Sequence, residues 1–182
     1  MNIIVAITAA SGAIYARQCL ELLLNSGSVD KIGVIMSEHA HDVLKAEAIT
    51  LPEDSHIEYY DNNNMWASPA SGSARWDSMI IVPASMGTIG RIAAGISRTL
   101  IERAADVMLK ERRKLIIVAR EAPYSLIHLR NMTTLTEAGA IILPASPAFY
   151  FQPTTIEELC LNLSQRIVEM AGIETQHKIW GA

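Results

Sequence analysis

Charge is scarce in this chain. Only 19% of its 182 residues are charged, 15 basic against 19 acidic for a net charge of −4, whereas a soluble domain typically carries about a quarter. The basic footprint that nucleic acid or anionic lipid requires is missing, so any phosphate bound here must be held locally. Cysteine is almost absent as well. Cys19 and Cys160 lie far apart inside apolar helical patterns, which offers no disulfide framework or thiolate metal site and reads as two reduced core thiols. No apolar run approaches the ~20 residues of a membrane span. The first residues carry no basic leader and read directly as a strand. These absences predict a cytoplasmic protein with no nucleic-acid and no membrane partner.

What is present is apolar: half of the residues. One domain spanning 1–182 is the natural reading, because two domains would each have a small core. Positive mean hydropathy with so few charges predicts that part of the surface is covered by other subunits, hence a homo-oligomer. Short β-branched runs at 3–8, 32–36, 79–83, 115–119 and 140–143 alternate with helical patterns at 13–25, 39–48, 89–94, 99–113, 125–138 and 156–171. That alternation predicts an α/β fold, an open parallel sheet with helices on both faces. Two irregular stretches, 61–74 and 144–153, keep aromatics among Pro, Gly, Asn and Ser, as loops bordering a site do.

Ligands of an open parallel sheet bind at the carboxyl ends of its strands. Those positions hold Ala9-Ala10-Ser11-Gly12, then Ser37, then Ser85-Met86-Gly87-Thr88, then Arg120-Glu121. Small residues admit a ligand to the backbone, and hydroxyls with helix-start N–H groups bind phosphate or flavin oxygens. Taken singly, Ser11, Ser37 and Ser85 are each explained by an ordinary helix N-cap. Three strands ending alike favour an anion pocket instead. Neither Gly-x-Gly-x-x-Gly nor a Walker loop follows the first strand, and Ser37 stands where a dinucleotide site offers an acid, which points to a mononucleotide. Arg103 and Lys110 are seven apart on one predicted helix, nearly aligned, and lead into the basic cluster 112–114. Arg120, directly after a buried strand, is expected to face the pocket. Glu47 by itself reads as exposed. His39 and His41 are two apart and match no metal-binding helical pair, so no metal site is expected.

Several segments together resemble one family. Thr8-Ala-Ala-Ser-Gly-Ala, Pro69-Ala-Ser-Gly-Ser73, the run 100–113, Arg120-Glu-Ala-Pro123, Ile127-His-Leu-Arg-Asn-Met132 and Pro147-Ala-Phe-Tyr-Phe-Gln-Pro153 closely resemble the UbiX-type flavin prenyltransferases, once described as aromatic acid decarboxylases. Two positions depart from that pattern: Ala9 and Ala148 stand where the family commonly has glycine. The resemblance implies a flavodoxin-like or Rossmann-like sheet and bound FMN. It also implies transfer of a dimethylallyl group from dimethylallyl phosphate to reduced FMN, giving prenylated FMN, the cofactor of UbiD-type decarboxylases. By motif, it implies that Ala9, Ala10, Ser11, Ser37, Ser85, Met86, Gly87, Thr88 and Arg120 hold FMN. Tyr150 and Arg166 would hold the prenyl phosphate, assisted by Arg103, Lys110 and Glu121. Ser11, Glu47 and Glu121 match positions associated with proton movement. Sites between subunits of a dodecamer are implied too.

The chemistry of such a transfer suits these residue types. Breaking an allylic C–O bond leaves an anionic phosphate, which Lys and Arg stabilise, and a cation-like allyl fragment, which aromatic faces stabilise. Trp66 and Tyr150 are the aromatic candidates. No Asp-rich motif for a magnesium-bound diphosphate occurs, so fixed cations would stand in for the metal. Two other classes stay open on sequence alone. One is an FMN-dependent cysteine decarboxylase of the phosphopantothenoylcysteine decarboxylase type, disfavoured by Gly87 and by the Arg-Glu-Ala-Pro segment. The other is a non-catalytic FMN-binding module.

Overall fold

Apolar runs without alternation form strands covered on both faces, and the computed structural model, which describes residues 1–175, has that architecture. His177 and Trp180 lie outside the described residues. Strands β1 (Asn2–Ile7), β2 (Lys31–Met36), β3 (Ile57–Tyr60), β4 (Ser78–Ala84), β5 (Lys114–Ala119) and β6 (Ile141–Pro144) form one parallel sheet. Their order, β3-β2-β1-β4-β5-β6, is that of a doubly wound Rossmann sheet, which reverses direction between β1 and β4.

The helices are α1 (Ala13–Asn25), α2 (Ala40–Ala46), α3 (Met86–Ala93), α4 (Leu100–Lys110), α5 (Leu126–Glu137) and α6 (Ile156–Ala171). Side chains alternate across the central strands β1 and β4 and are mostly apolar on both sides. Ile3, Val5 and Ile7 of β1 join Cys19, Leu20 and Leu23 of α1 and Leu163, Ile167 and Val168 of α6 in one core. Ile4 and Ala6 face the other core, with Ile89 of α3, Ala104, Ala105 and Met108 of α4, and Leu135 of α5. Truncating such a fully buried Ile to Ala costs about 2–5 kcal/mol, so packing on both faces contributes to holding the sheet.

Strand β3 escaped the sequence reading. It is a short edge strand, Ile-Glu-Tyr-Tyr, with Glu58 and Tyr59 exposed and Glu58 paired to Lys31 of β2. Other differences lie at helix ends. Ser85 caps α3 and starts it three residues earlier than expected. Helix α4 stops at Lys110 because Arg112 adopts a left-handed backbone (φ 57°), and α2 likewise ends before Ala48 (φ 52°).

Candidate active site

The reversal of strand order leaves a crevice beyond β1 and β4, and Thr8 fixes its floor. Its Oγ1 donates to the Pro83 carbonyl at 2.8 Å and accepts from the Ser85 N–H at 2.8 Å, tying the two loops that leave these strands. The three serines then part ways. Ser85 is the ordinary cap, its hydroxyl accepting from the Thr88 N–H at 3.4 Å and lying 3.1 Å from Thr88 Oγ1. Ser11 caps nothing: the N-cap of α1 is Gly12, and the Ser11 hydroxyl donates to Glu47. Ser37 Oγ is buried without a hydrogen-bond partner and lines the crevice.

Glu47 leaves the end of α2 and crosses to the start of α1. Its carboxylate accepts from the Gly12 N–H at 2.9 and 3.1 Å and from the Ala13 N–H at 2.7 Å. Gly12 has a φ of +104°, and a Cβ there would meet the Tyr15 ring at 3.0 Å, so glycine is needed for this turn. Partial burial disfavours the Glu47 charge. The Ser11 hydroxyl, the two backbone N–H groups and the Arg120 guanidinium outweigh it and hold its carboxyl below the ordinary value. Ser11, Glu47 and Arg120, separated in sequence, thus form one electrostatic cluster at a helix N-terminus. Glu121 is exposed next to it, its carboxylate accepting from the Ala122 N–H at 2.9 Å.

Two residues before Ser11, Ala9 joins the lining of a cavity of about 880 Å³ that also includes Ser37, Ser85, Thr88, Arg91 and Tyr60 but not Ser11, Glu47 or Arg120, within the size range of small-molecule and cofactor sites. Small Ala9, the unpartnered Ser37 hydroxyl and the N-terminal end of α3 fit a flavin mononucleotide. Arg91 and Glu102 were not singled out from the sequence. Glu102, only 2% exposed, accepts from Arg91 Nε at 2.5 Å and from the N–H groups of Arg98 and Thr99 at 2.8 and 3.1 Å. Burial opposes its charge, but the Arg91 hydrogen bond and these N–H groups keep its carboxyl below the ordinary value. The available signal was Thr99-x-x-Glu102, a capping box, which disguised the second role of the glutamate.

The remaining expected residues lie elsewhere in one chain. Arg103 Nε donates to the Ala70 carbonyl at 3.1 Å and its Nη1 pairs with Asp106 at 2.6 Å. Lys110 pairs with Glu111, and an added Cβ on Gly72 would lie 2.6 Å from the Lys110 ammonium. Both cations therefore flank the loop 68–74. Arg166 sits on α6, 3.4 Å from Glu169, on the opposite face of the sheet from α4. Tyr150 packs edge-on against Phe151 at 5.9 Å, and Trp66 is 98% exposed. A single chain does not bring Arg103, Lys110 and Arg166 to one point.

A family model described as Flavoprotein matches residues 1–178. The flavin prenyltransferase UbiX of Methanocaldococcus jannaschii is 42% identical over 185 residues, covering 100% of this chain and 99% of that protein. Among solved structures, AnUbiX (PadA1) in complex with FMN and dimethylallyl pyrophosphate superposes with a TM-score of 0.92 at 40% identity, over 100% of this chain and 97% of that one. A dodecameric FMN-dependent UbiX-like decarboxylase from Escherichia coli O157:H7 superposes with a TM-score of 0.92 at 34% identity, over 100% of both chains.

Proposed function

The chain belongs to the Flavoprotein family, as one of its flavin prenyltransferases, and from that premise we propose that it transfers a dimethylallyl group from dimethylallyl phosphate to reduced FMN. The product is prenylated FMN. The observation that carries the reading is the convergence of Ser11, Glu47 and Arg120 beside a flavin-sized cavity at the strand-order reversal. We read residues 1–182 as one flavin-binding domain, in keeping with the family match over 1–178.

The bound reduced flavin supplies the nucleophilic ring atoms that accept the dimethylallyl group. Ala9, Ala10, Ser11, Ser37, Ser85, Met86, Gly87, Thr88 and Arg120 seat it at the strand ends. Tyr150 and Arg166 hold the donor's phosphate, with Arg103, Lys110 and Glu121 in support. The allylic C–O bond breaks with its electron pair going to phosphate, whose negative charge the fixed cations stabilise without a metal. Trp66 and Tyr150 face the cation-like allyl carbon. Glu47, ionised and hydrogen-bonded to the Ser11 hydroxyl, takes the proton released during the transfer, with Ser11 and Glu121 as its route.

Several copies complete the site. Arg103 and Lys110 lie on one face of the sheet and Arg166 on the other, so a neighbouring subunit supplies Tyr150 and Arg166. A homo-dodecamer satisfies this and covers Leu126, Ile127 and Phe149, which one chain leaves exposed. The product passes to a UbiD-type decarboxylase as its cofactor. We assign the protein to the cytoplasm, where buried unpaired thiols such as Cys19 and Cys160 persist.

The test is anaerobic incubation with reduced FMN and dimethylallyl phosphate, with a chelator present. The extracted flavin is expected to be heavier by one dimethylallyl unit. An unchanged flavin mass with either the phosphate or the diphosphate donor rules the proposal out.

A further inference from the structure

The cavity holds a cation that the motif-based assignment of the flavin site does not include. Among the described residues lining it, Arg91 is the only lysine or arginine, and the acidic Glu38 and Asp61 and the histidines His39 and His41 line it as well. Its guanidinium is aimed from two sides. Nε is bonded to the buried carboxylate of Glu102 at 2.5 Å, and Nη2 donates to Thr88 Oγ1 at 3.3 Å. Thr88 is itself buried and belongs to the first turn of α3. Nη1 makes no hydrogen bond to the described residues and lies 3.3 Å from where a Cβ of Gly87 would be, so a side chain there would crowd the guanidinium. Ser37 Oγ, buried and unpartnered, lines the same cavity.

Two hydroxyls, an N-terminal helix turn and a guanidinium pinned by a buried carboxylate make a site for a doubly charged oxyanion. We infer that Arg91, positioned by Glu102, binds the 5′-phosphate of the flavin together with Ser37 and Thr88, and so makes the site selective for FMN over riboflavin. The inference rests on the proposed flavin site and specifies which end of the flavin lies there. Fixing the tail at α3 directs the ring system toward Ala9 and the Ser11–Glu47 cluster. A purely structural Arg91–Glu102 pair needs no ligand. Its arginine would then contribute equally to binding flavins with and without a phosphate.

Flavin-free protein, as the full chain, is titrated with FMN and with riboflavin, which differ only in the phosphate. Wild type is expected to prefer FMN. The double variant Arg91→Met/Glu102→Gln removes both charges, so that no buried carboxylate is orphaned. It is expected to lose about tenfold or more in FMN affinity, as befits a charge-assisted bond, with riboflavin affinity unchanged. Arg91→Lys retains the charge but not the fork and keeps part of the preference. Glu102→Gln alone lowers the FMN-to-riboflavin preference without changing riboflavin binding, a split that general loosening of the fold does not produce. Equal losses for both flavins, or no loss for either, overturn the inference. Wild type that binds neither flavin overturns the proposed function instead.

Discussion

Glu47 is the side chain at which the fold meets the proposed chemistry. The carboxylate that completes the first turn of α1 is also the ionised group beside Ser11 and Arg120. Glu47→Gln keeps an acceptor for one N–H but loses the charge, and is expected to lower unfolding free energy by about 1 kcal/mol at neutral pH. Because its folded-state carboxyl lies below the ordinary value of 4.5, its contribution is present above that value and is lost as the pH falls through the depressed one. The stability gap between wild type and variant in denaturant titrations should therefore narrow below pH 4.5; a gap that widens on acidification contradicts the assignment. Turnover of the variant should fall while FMN stays bound. Arg166→Ala, by contrast, is expected to weaken prenyl-phosphate use far more than FMN retention, and equal losses would move Arg166 to the flavin or to assembly. At this scale the sequence was only partly legible. Ser11, Ser37 and Ser85 look alike as residues before helices, and their different fates depend on partners such as Glu47, 35 positions from Gly12, that no local pattern encodes.

Elements were easier to read where burial is complete. Helices α1 and α6 occupy the spans expected from their apolar periodicity, and the strands β1, β2, β4, β5 and β6 fall on continuous apolar runs. Strand β3 was missed because an edge strand needs only partial burial and so carries little pattern. The end of α4 was misplaced because Arg113 reads as one more helical cation. It is instead a clamp: its Nη1 and Nη2 donate to the carbonyls of Ala74 at 2.8 Å and Gly72 at 2.9 Å. With Arg103 on Ala70, it holds the loop 68–74 against α4. Arg113→Ala is expected to cost about 1–2 kcal/mol and to speed proteolysis within 68–74. A cleavage rate equal to that of wild type would show that the loop is held by something else.

The whole molecule is an incomplete surface. Leu126 and Ile127 on α5 are 60% and 68% exposed, and Phe149 and Ile156 are 69% and 71% exposed, where an isolated soluble chain would show smaller apolar patches. Low charge in the sequence points to covered surface, but which apolar faces a single chain leaves exposed became visible only once the helices were placed. Leu126→Glu/Ile127→Glu is expected to shift the protein from the proposed dodecamer to smaller species in sedimentation velocity and to reduce transfer. A single small species for wild type at micromolar concentration would contradict the shared site.

Transfer from a phosphate ester to a flavin has a fixed stoichiometry, which one anaerobic mixture of enzyme, reduced FMN and dimethylallyl phosphate can report. Released inorganic phosphate and flavin mass are measured together over the same time course. One phosphate should appear for each flavin that gains a dimethylallyl unit. Phosphate release with the flavin unmodified would make the protein a hydrolase of the ester and contradict the account.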